Sequence, residues 1–241
     1  MIRKALILIV VNICLVGCSR HYVKYKQQFE HAGMKDQAVQ PIMNDSITRY
    51  KKKVKAATSR VIAISAGKFT RDGDETTLGN FVCDALRYAG DKYFDPDATD
   101  IVIVNRGGLR ADLPAGEITV GHIFELMPFD NEMVQVKLKG ESLLELLPLM
   151  KEKKHPFYGF ELKILPDKSV KMTVRKMEII PSKTYTIITS DYLVNGGDNF
   201  TFLKEGEIKS SNMKIRDAIV SYCDALKEIK PYKDGRMETT K

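Results

Sequence analysis

Clustered metal ligands are what this chain most plainly lacks. Its 241 residues hold four cysteines and four histidines, with no Cys-x-x-Cys pair and no cysteine–histidine spacing suited to zinc. No internal repeat is visible, so solenoid and propeller architectures are set aside. Long apolar runs are scarce too. Only Ala5 to Val16, broken at Asn12, invites comparison with a membrane span, and it is too short to be a comfortable one. The formal charge is +7, but the excess sits in local lysine runs (Lys51 to Lys53; Lys151, Lys153 and Lys154) interleaved with acids. A nucleic-acid surface needs a continuous basic stripe with stacking residues. These runs are read as solvated helix faces, and no nucleic-acid partner is expected.

The N-terminus carries the compartment signal. Arg3 and Lys4 precede the apolar run, which ends in Leu15-Val16-Gly17-Cys18. A basic start, a short apolar core and a small residue before the cleavage point make a signal peptide of residues 1–17. Leu-Val-Gly-Cys resembles a bacterial lipobox, in which Cys18 becomes the lipidated first residue and acyl chains tether the protein to a bilayer. Ser19 is not the acidic residue that would favour inner-membrane retention. The expectation is an outer-membrane lipoprotein facing the periplasm, with a charge near +5 once Arg3 and Lys4 are removed. Residues 18–41 are polar and suit a tether; 42–241 read as one domain. In that domain Cys83 and Cys223 stand in Cys-Asp-Ala-Leu stretches. Burial as free thiols is the default, and pairing in an oxidising compartment stays open.

Periodicity outlines the body. An amphipathic helix is predicted over Ile42 to Ala57 and a strand over Arg60 to Ser65. A helix follows from Thr77 to about Ala89, with Thr76 available as its N-cap. Asp100 to Asn105 is a short β-branched run feeding Gly107-Gly108, the mark of a buried strand entering a loop. Thr119 to Leu126 reads as a short helix, Met133 to Leu138 as a strand and Glu141 to Met150 as a helix. Two or three strands are expected between Gly159 and Thr189, then a last helix from about Asn212 to Ile229. Strands and helices alternate, yet several neighbouring strands look antiparallel. The fold class is therefore α/β of the α+β type, a mixed β-sheet with flanking helices.

Two loop clusters carry candidate chemistry. One holds Asn105, Gly108 and Arg110, followed by Phe129; the other holds Tyr192 and Asp198 around Gly196-Gly197. Each residue alone has an ordinary explanation. Glycines permit positive φ or close approach, Asn105 can cap a turn, and aromatics usually pack into a core. Their joint occurrence supplies two rings, a carboxylate, an amide and an arginine at loop positions. A nucleoside presents one π-face and a vicinal diol, which two rings and one carboxylate would recognise.

Four segments together carry a resemblance: Thr77 to Ala85 (TLGNFVCDA), Asn105 to Arg110 (NRGGLR), Pro128 to Asn131 (PFDN) and Tyr192 to Phe200 (YLVNGGDNF). In this order and spacing they resemble the C-terminal domain of the bacterial and animal 5′-nucleotidase family, which includes periplasmic UDP-sugar hydrolases, over roughly residues 42 to 229. The resemblance implies that the domain contacts base and ribose. Phe129 and Tyr192 would be the stacking rings, Tyr192 standing where phenylalanine is common. Asp198 would take the ribose hydroxyls, Asn105 the base and Arg110 the ribose or phosphate end. Arg71 stands near the place of a further family arginine, with Asp72-Gly73-Asp74 intervening before Glu75.

Hydrolytic members of the family carry an N-terminal metallophosphoesterase domain with two metals, which activate water and clamp phosphoryl oxygens at about 4 Å separation. None of His21, His31, His122 or His155 lies in an Asp-x-His or Gly-Asn-His-Glu setting, and no room for such a domain is expected before residue 42. No catalytic or metal-ligating residue is assigned here, and a divalent metal pair is expected on a separate metallophosphoesterase chain. Three possibilities follow: a two-chain hydrolase, a stand-alone nucleoside-binding lipoprotein, or a module that kept the fold and lost the site. The first is preferred. The pure chain with added divalent metal is expected to release no phosphate from AMP, and turnover in that assay refutes the assignment.

Overall fold

The computed structural model describes residues 41–96 and 99–240, with side chains from residue 46 onward. The signal segment, Cys18 and the tether up to residue 40 lie outside the described residues. The chain divides between Thr48 and Arg49, inside its first helix, and the body described below is the unit Arg49–Lys241. That helix, α1 (Pro41–Thr58), forms where periodicity predicts it, but its side chains from 46 to 57, including Tyr50 and Val54, are exposed. Among the described residues no helix is long and apolar enough to cross a membrane.

The first half of the body runs β1 (Val61–Ser65), α2 (Thr77–Tyr93), β2 (Ile101–Ile103), β3 (Gly116–Thr119) and α3 (Val120–Leu126). It continues with β4 (Glu132–Lys139), α4 (Gly140–Leu143) and α5 (Leu146–Lys153). The second half runs β5 (Phe157–Tyr158), β6 (Phe160–Ile164), β7 (Val170–Val174), β8 (Met177–Glu178) and β9 (Thr184–Ser190). Then come α6 (Asp191–Val194), β10 (Glu207–Lys214), α7 (Ile215–Leu226), β11 (Glu228–Ile229) and β12 (Met237–Thr239).

Three mixed sheets result, where one was expected. A five-stranded sheet has the order β10-β4-β9-β2-β5, in which only the β2–β9 pair is parallel. A three-stranded sheet, β11-β1-β3, and a four-stranded sheet, β12-β6-β7-β8, complete the body. The large sheet is covered on both faces, and its period-two alternation separates two cores. Val102, Met133 and Ile188 face Leu86, Ile123 and Ile219 on α2, α3 and α7. Ile101, Ile103, Val134, Val136 and Ile187 face Leu146, Leu162 and Phe200. Full burial of each such side chain stabilises the fold by roughly 1.5–3 kcal/mol.

Local signals explain most boundaries. Thr76 caps α2 by accepting the Gly79 N–H at 2.9 Å, and α2 runs one turn past the predicted end. Thr119 and His122 form a reciprocal capping box at α3, at 3.3 and 3.1 Å. Several segments correct the sequence reading. The predicted helix over Glu141 to Met150 is two helices, broken around Leu144 and Glu145. Four strands, not two or three, occupy 160–190. Residues 212–214, assigned to the last helix, instead end β10, an edge strand whose register breaks near Asn212 at φ 55. Cys83 and Cys223 are buried free thiols on α2 and α7, and burial pushes the Cys223 thiol up to about 12.

The C-terminal residues brace the start of α2. Tyr232 Oη donates to Asp84, and Glu75 accepts the Asp234 and Gly235 N–H groups at 2.8 and 3.1 Å. Arg236 Nη1 donates to the Phe157 carbonyl at 2.8 Å. Between β5 and β6, Gly159 has φ +92, and a Cβ there would sit 1.9 Å from the Asp100 carbonyl oxygen. Gly159→Ala is thus expected to cost about 2 kcal/mol or more, measurable by urea denaturation as a lower midpoint.

Candidate functional site

The parallel pairing of β2 with β9 sends both carboxy ends to one sheet edge, and antiparallel β4 begins at that edge, with Met133 opposite Ser190. Three loops converge there. Asn105 and the turn Arg106–Gly108 follow β2, Phe129 to Asn131 precede β4, and α6 with the turn Gly197–Asn199 follows β9. Asp191 joins two of them through one carboxylate oxygen, which accepts the Tyr192 N–H at 2.8 Å and the Glu132 N–H at 3.1 Å.

Asn105, Gly107, Arg110, Phe129, Asn131, Tyr192 and Asp198 line one cleft of about 340 Å³. Phe129 and Tyr192 are each 41% exposed, so both rings remain open to a flat ligand. Tyr192 is backed by Gly197, where a Cβ would come within 2.4 Å of the ring. Only glycine lets the ring lie that close to the turn. Gly196 adopts φ 93 and Asp198 φ 50, so the turn curls left-handed and carries the carboxylate into the cleft. Gly108, assigned to the site from sequence, is buried instead. A Cβ there would meet Asn105 Oδ1 at 2.8 Å, so its smallness makes room for the carboxamide, and Gly107 takes the place on the wall.

A second cleft, about 530 Å³, shares Gly107, Arg110 and Asp198 with the first and adds Arg71, Arg106, Lys153 and His155. The two adjoin as one groove, aromatic and amide-lined at one end and cationic at the other, with Gly107, Arg110 and Asp198 at the waist. Arg71 belongs to the cationic end. Its Nε donates to Asp112 Oδ1 at 3.0 Å and its Nη1 to the carbonyls of Arg110 and Leu109 at 3.0 and 3.3 Å. Those bonds tie the loop before α2 to the stretch carrying Arg110. Arg106 is a clamp, with Nη2 donating at 2.8 Å to the carbonyls of both Arg71 and Gly73. Arg110 is exposed and, among the described residues, its guanidinium bonds its own turn, Nη1 to the Gly107 carbonyl at 3.2 Å, so donors remain for a ligand. Asp112, between Lys68 and Arg71, is held below the usual carboxylate range, their hydrogen bonds and charges outweighing burial, the largest single influence.

His155 is 2% exposed, and burial pushes its pKa down to about 4. The Asp198 and Glu152 charges oppose that shift, while Lys153 and Arg106 reinforce it. Among the described residues no group of three or more His, Cys, Asp or Glu side chains is placed to hold a metal ion.

A family model described as the C-terminal domain of 5′-nucleotidase matches residues 53–205. The chain belongs to this family. An apyrase of Aedes albopictus is 24% identical over 92% of this chain and 42% of its own length. The 5′-nucleotidase of Rattus norvegicus is 27% identical over 68% of the chain and 33% of its length. Among solved structures, a 5′-nucleotidase precursor from Thermus thermophilus superposes with a TM-score of 0.73 and 25% identity, over 82% of this chain and 43% of that one. The chain spans less than half the length of these relatives.

Of the residues assigned to the site from sequence, Asn105, Arg110, Phe129, Tyr192 and Asp198 line the aromatic cleft, and Arg71 lines the adjoining one. Asn131, Arg106 and Lys153 are additions. The first two stood within the quoted segments, but residue type alone does not separate a wall residue from a clamp. Nothing local marked Lys153 or His155, which reach the groove only through the packing of α5 and β5.

The His155 shift sets a pH dependence. Unfolded, the imidazole titrates near 6.5, whereas in the fold it stays neutral to about pH 4. As pH falls below 6.5 the unfolded chain binds the proton first, so stability present at neutral pH is lost progressively towards pH 4, on the order of 3 kcal/mol. Denaturation of wild type and His155→Asn at pH 7.0 and 4.5 is expected to show a steeper loss for wild type.

Proposed function

We propose that this chain is the nucleotide-recognition part of a 5′-nucleotidase-type phosphohydrolase acting in nucleotide breakdown, with a separate metallophosphoesterase chain supplying the metal pair. One observation carries the reading: an aromatic, amide-lined cleft adjoins a cationic one, and the two share Asp198 and Arg110, which together offer matching groups to the base, ribose and phosphate of a nucleotide.

In this reading the base stacks on Phe129 and Tyr192, each such contact being worth about 1–3 kcal/mol. The carboxamides of Asn105 and Asn131 offer donors and acceptors to its edge. Asp198 accepts from both ribose hydroxyls, a charge-assisted pair that also fixes the ligand's direction along the groove. Arg110 meets the phosphate end with its free donors, and Arg71 adds positive charge there. A metal pair on the partner would supply an activated water and charge stabilisation at the phosphoryl group. The contribution of this chain is to hold the scissile end still, which lowers the entropic part of the barrier. The signal-peptide pattern of residues 1–17 before Cys18 supports a place in the bacterial envelope, on a periplasm-facing lipid anchor of the outer membrane.

Isothermal titration of the full chain with AMP and with adenosine tests the reading. Saturable binding is expected, weakened about tenfold or more by Asp198→Ala. Equal affinity in that variant, or no binding of either ligand, defeats it. Tight adenosine binding with no gain from the phosphate would favour a stand-alone nucleoside-binding lipoprotein.

A further inference from the structure

Where the antiparallel pairing of β5 with β2 runs out, a side chain continues it. Ile103 pairs with Phe157, and the Val104 N–H donates to the Pro156 carbonyl at 3.0 Å. One residue further the chains part, and the next amide in reach, Arg106 N–H, donates to His155 Nδ1 at 3.1 Å. That amide opens the turn carrying Gly107 and Gly108. On its other side the imidazole meets Phe200 in an edge contact, centroids 5.1 Å apart at 72°. Phe200 closes the turn that carries Asp198, its N–H donating to the Gly197 carbonyl at 3.1 Å. One buried ring therefore touches both loops whose residues meet at the groove's waist. Because Nδ1 accepts, the proton of the neutral ring is on Nε2, which is buried without a hydrogen-bond partner among the described residues. A packing role alone would not call for an imidazole here; a leucine or phenylalanine would fill the volume without leaving a polar atom unsatisfied.

We propose that His155, as the neutral imidazole carrying its proton on Nε2, is a positioning residue that sets the spacing between the Arg106–Gly108 turn and the Asp198 turn. It touches no ligand in this account. It holds the turn that carries Asn105 and Arg110 at a fixed separation from the turn that carries Asp198. That consequence for affinity rests on the nucleotide reading above; the consequence for loop geometry does not.

The test uses the full chain, wild type beside His155→Leu and His155→Asn. Asparagine Oδ1 is attached to Cγ as histidine Nδ1 is, so it can accept the Arg106 N–H, whereas leucine cannot. In wild type at pH 7, long-range proton–nitrogen NMR of the imidazole is expected to report the Nε2–H tautomer. In His155→Leu the Arg106 amide should lose protection from hydrogen exchange and the amide shifts of Gly197 to Phe200 should move. The Kd for AMP should rise about tenfold, while His155→Asn recovers the protection and most of the affinity. An Nδ1–H tautomer overturns the proposal. So does an Arg106 amide still protected in His155→Leu, or an unchanged Kd with both loops displaced. If wild type binds no AMP while both loops respond as described, the nucleotide reading fails and the positioning role stands. Should His155→Leu not fold, the wild-type tautomer and the asparagine variant decide alone.

Discussion

The parallel pairing of β2 with β9 is short, Ile101 against Ile187 and Val102 against Ile188, yet the placement of the residues that line the aromatic cleft depends on it. Parallel strands deliver their carboxy ends to the same edge, and an antiparallel neighbour begins there. Loops from residues 105, 129 and 192 can meet only in that arrangement. The pair is affordable because both faces of the sheet are covered, which suits parallel strands, and the β-branched side chains of Ile101 to Ile103 are fully buried.

The groove's cationic end poses an electrostatic problem that the fold answers by dividing labour. Four basic side chains line a cleft that also holds a buried imidazole. Arg106 and Arg71 direct most of their donors at backbone carbonyls and Asp112, which fixes the loops and disperses charge. The imidazole stays neutral. Arg110 and Lys153 stand at the exposed rim, Lys153 paired with Glu152 at 3.0 Å, where solvent screens their charge. Part of the groove's positive charge is thus fixed in its loops and part stands at its exposed rim.

Much of this was legible in the sequence where local chemistry decides the outcome. The Asn-Arg-Gly-Gly junction announces a strand-to-loop turn, Asn-Gly-Gly-Asp announces a turn that follows the short helix α6 rather than a strand, and Thr76 and Thr119 mark helix starts. Phe129 and Asp198 were read at loop positions, whereas Tyr192, read the same way, sits in the short helix α6. What escaped was set by tertiary contact. Gly108 looks like a wall residue, and only the packed Asn105 carboxamide reveals it as clearance. Residues 212–214 carry enough helical character to extend α7 backwards, but Lys214 pairs with Glu132 on β4, and the ladder prevails over propensity. His155 stands alone in its segment, and its meaning comes from the amide that the sheet leaves behind.

The C-terminal stretch changes how the molecule should be divided. The family match ends at residue 205, but β10, α7, β11 and β12 come after it. Ile215, Ile219 and Cys223 belong to the same core as Val102 and Ile188, while Glu75, in the loop that carries Arg71, is held by the amides of Asp234 and Gly235. The segment by which the chain is recognised and the segment that folds are therefore not the same. A protein cut at residue 205 would keep every residue of the groove and lose one face of its core together with the brace behind Arg71. Inheritance of such a domain by another protein would require the residues after 205 to travel with it.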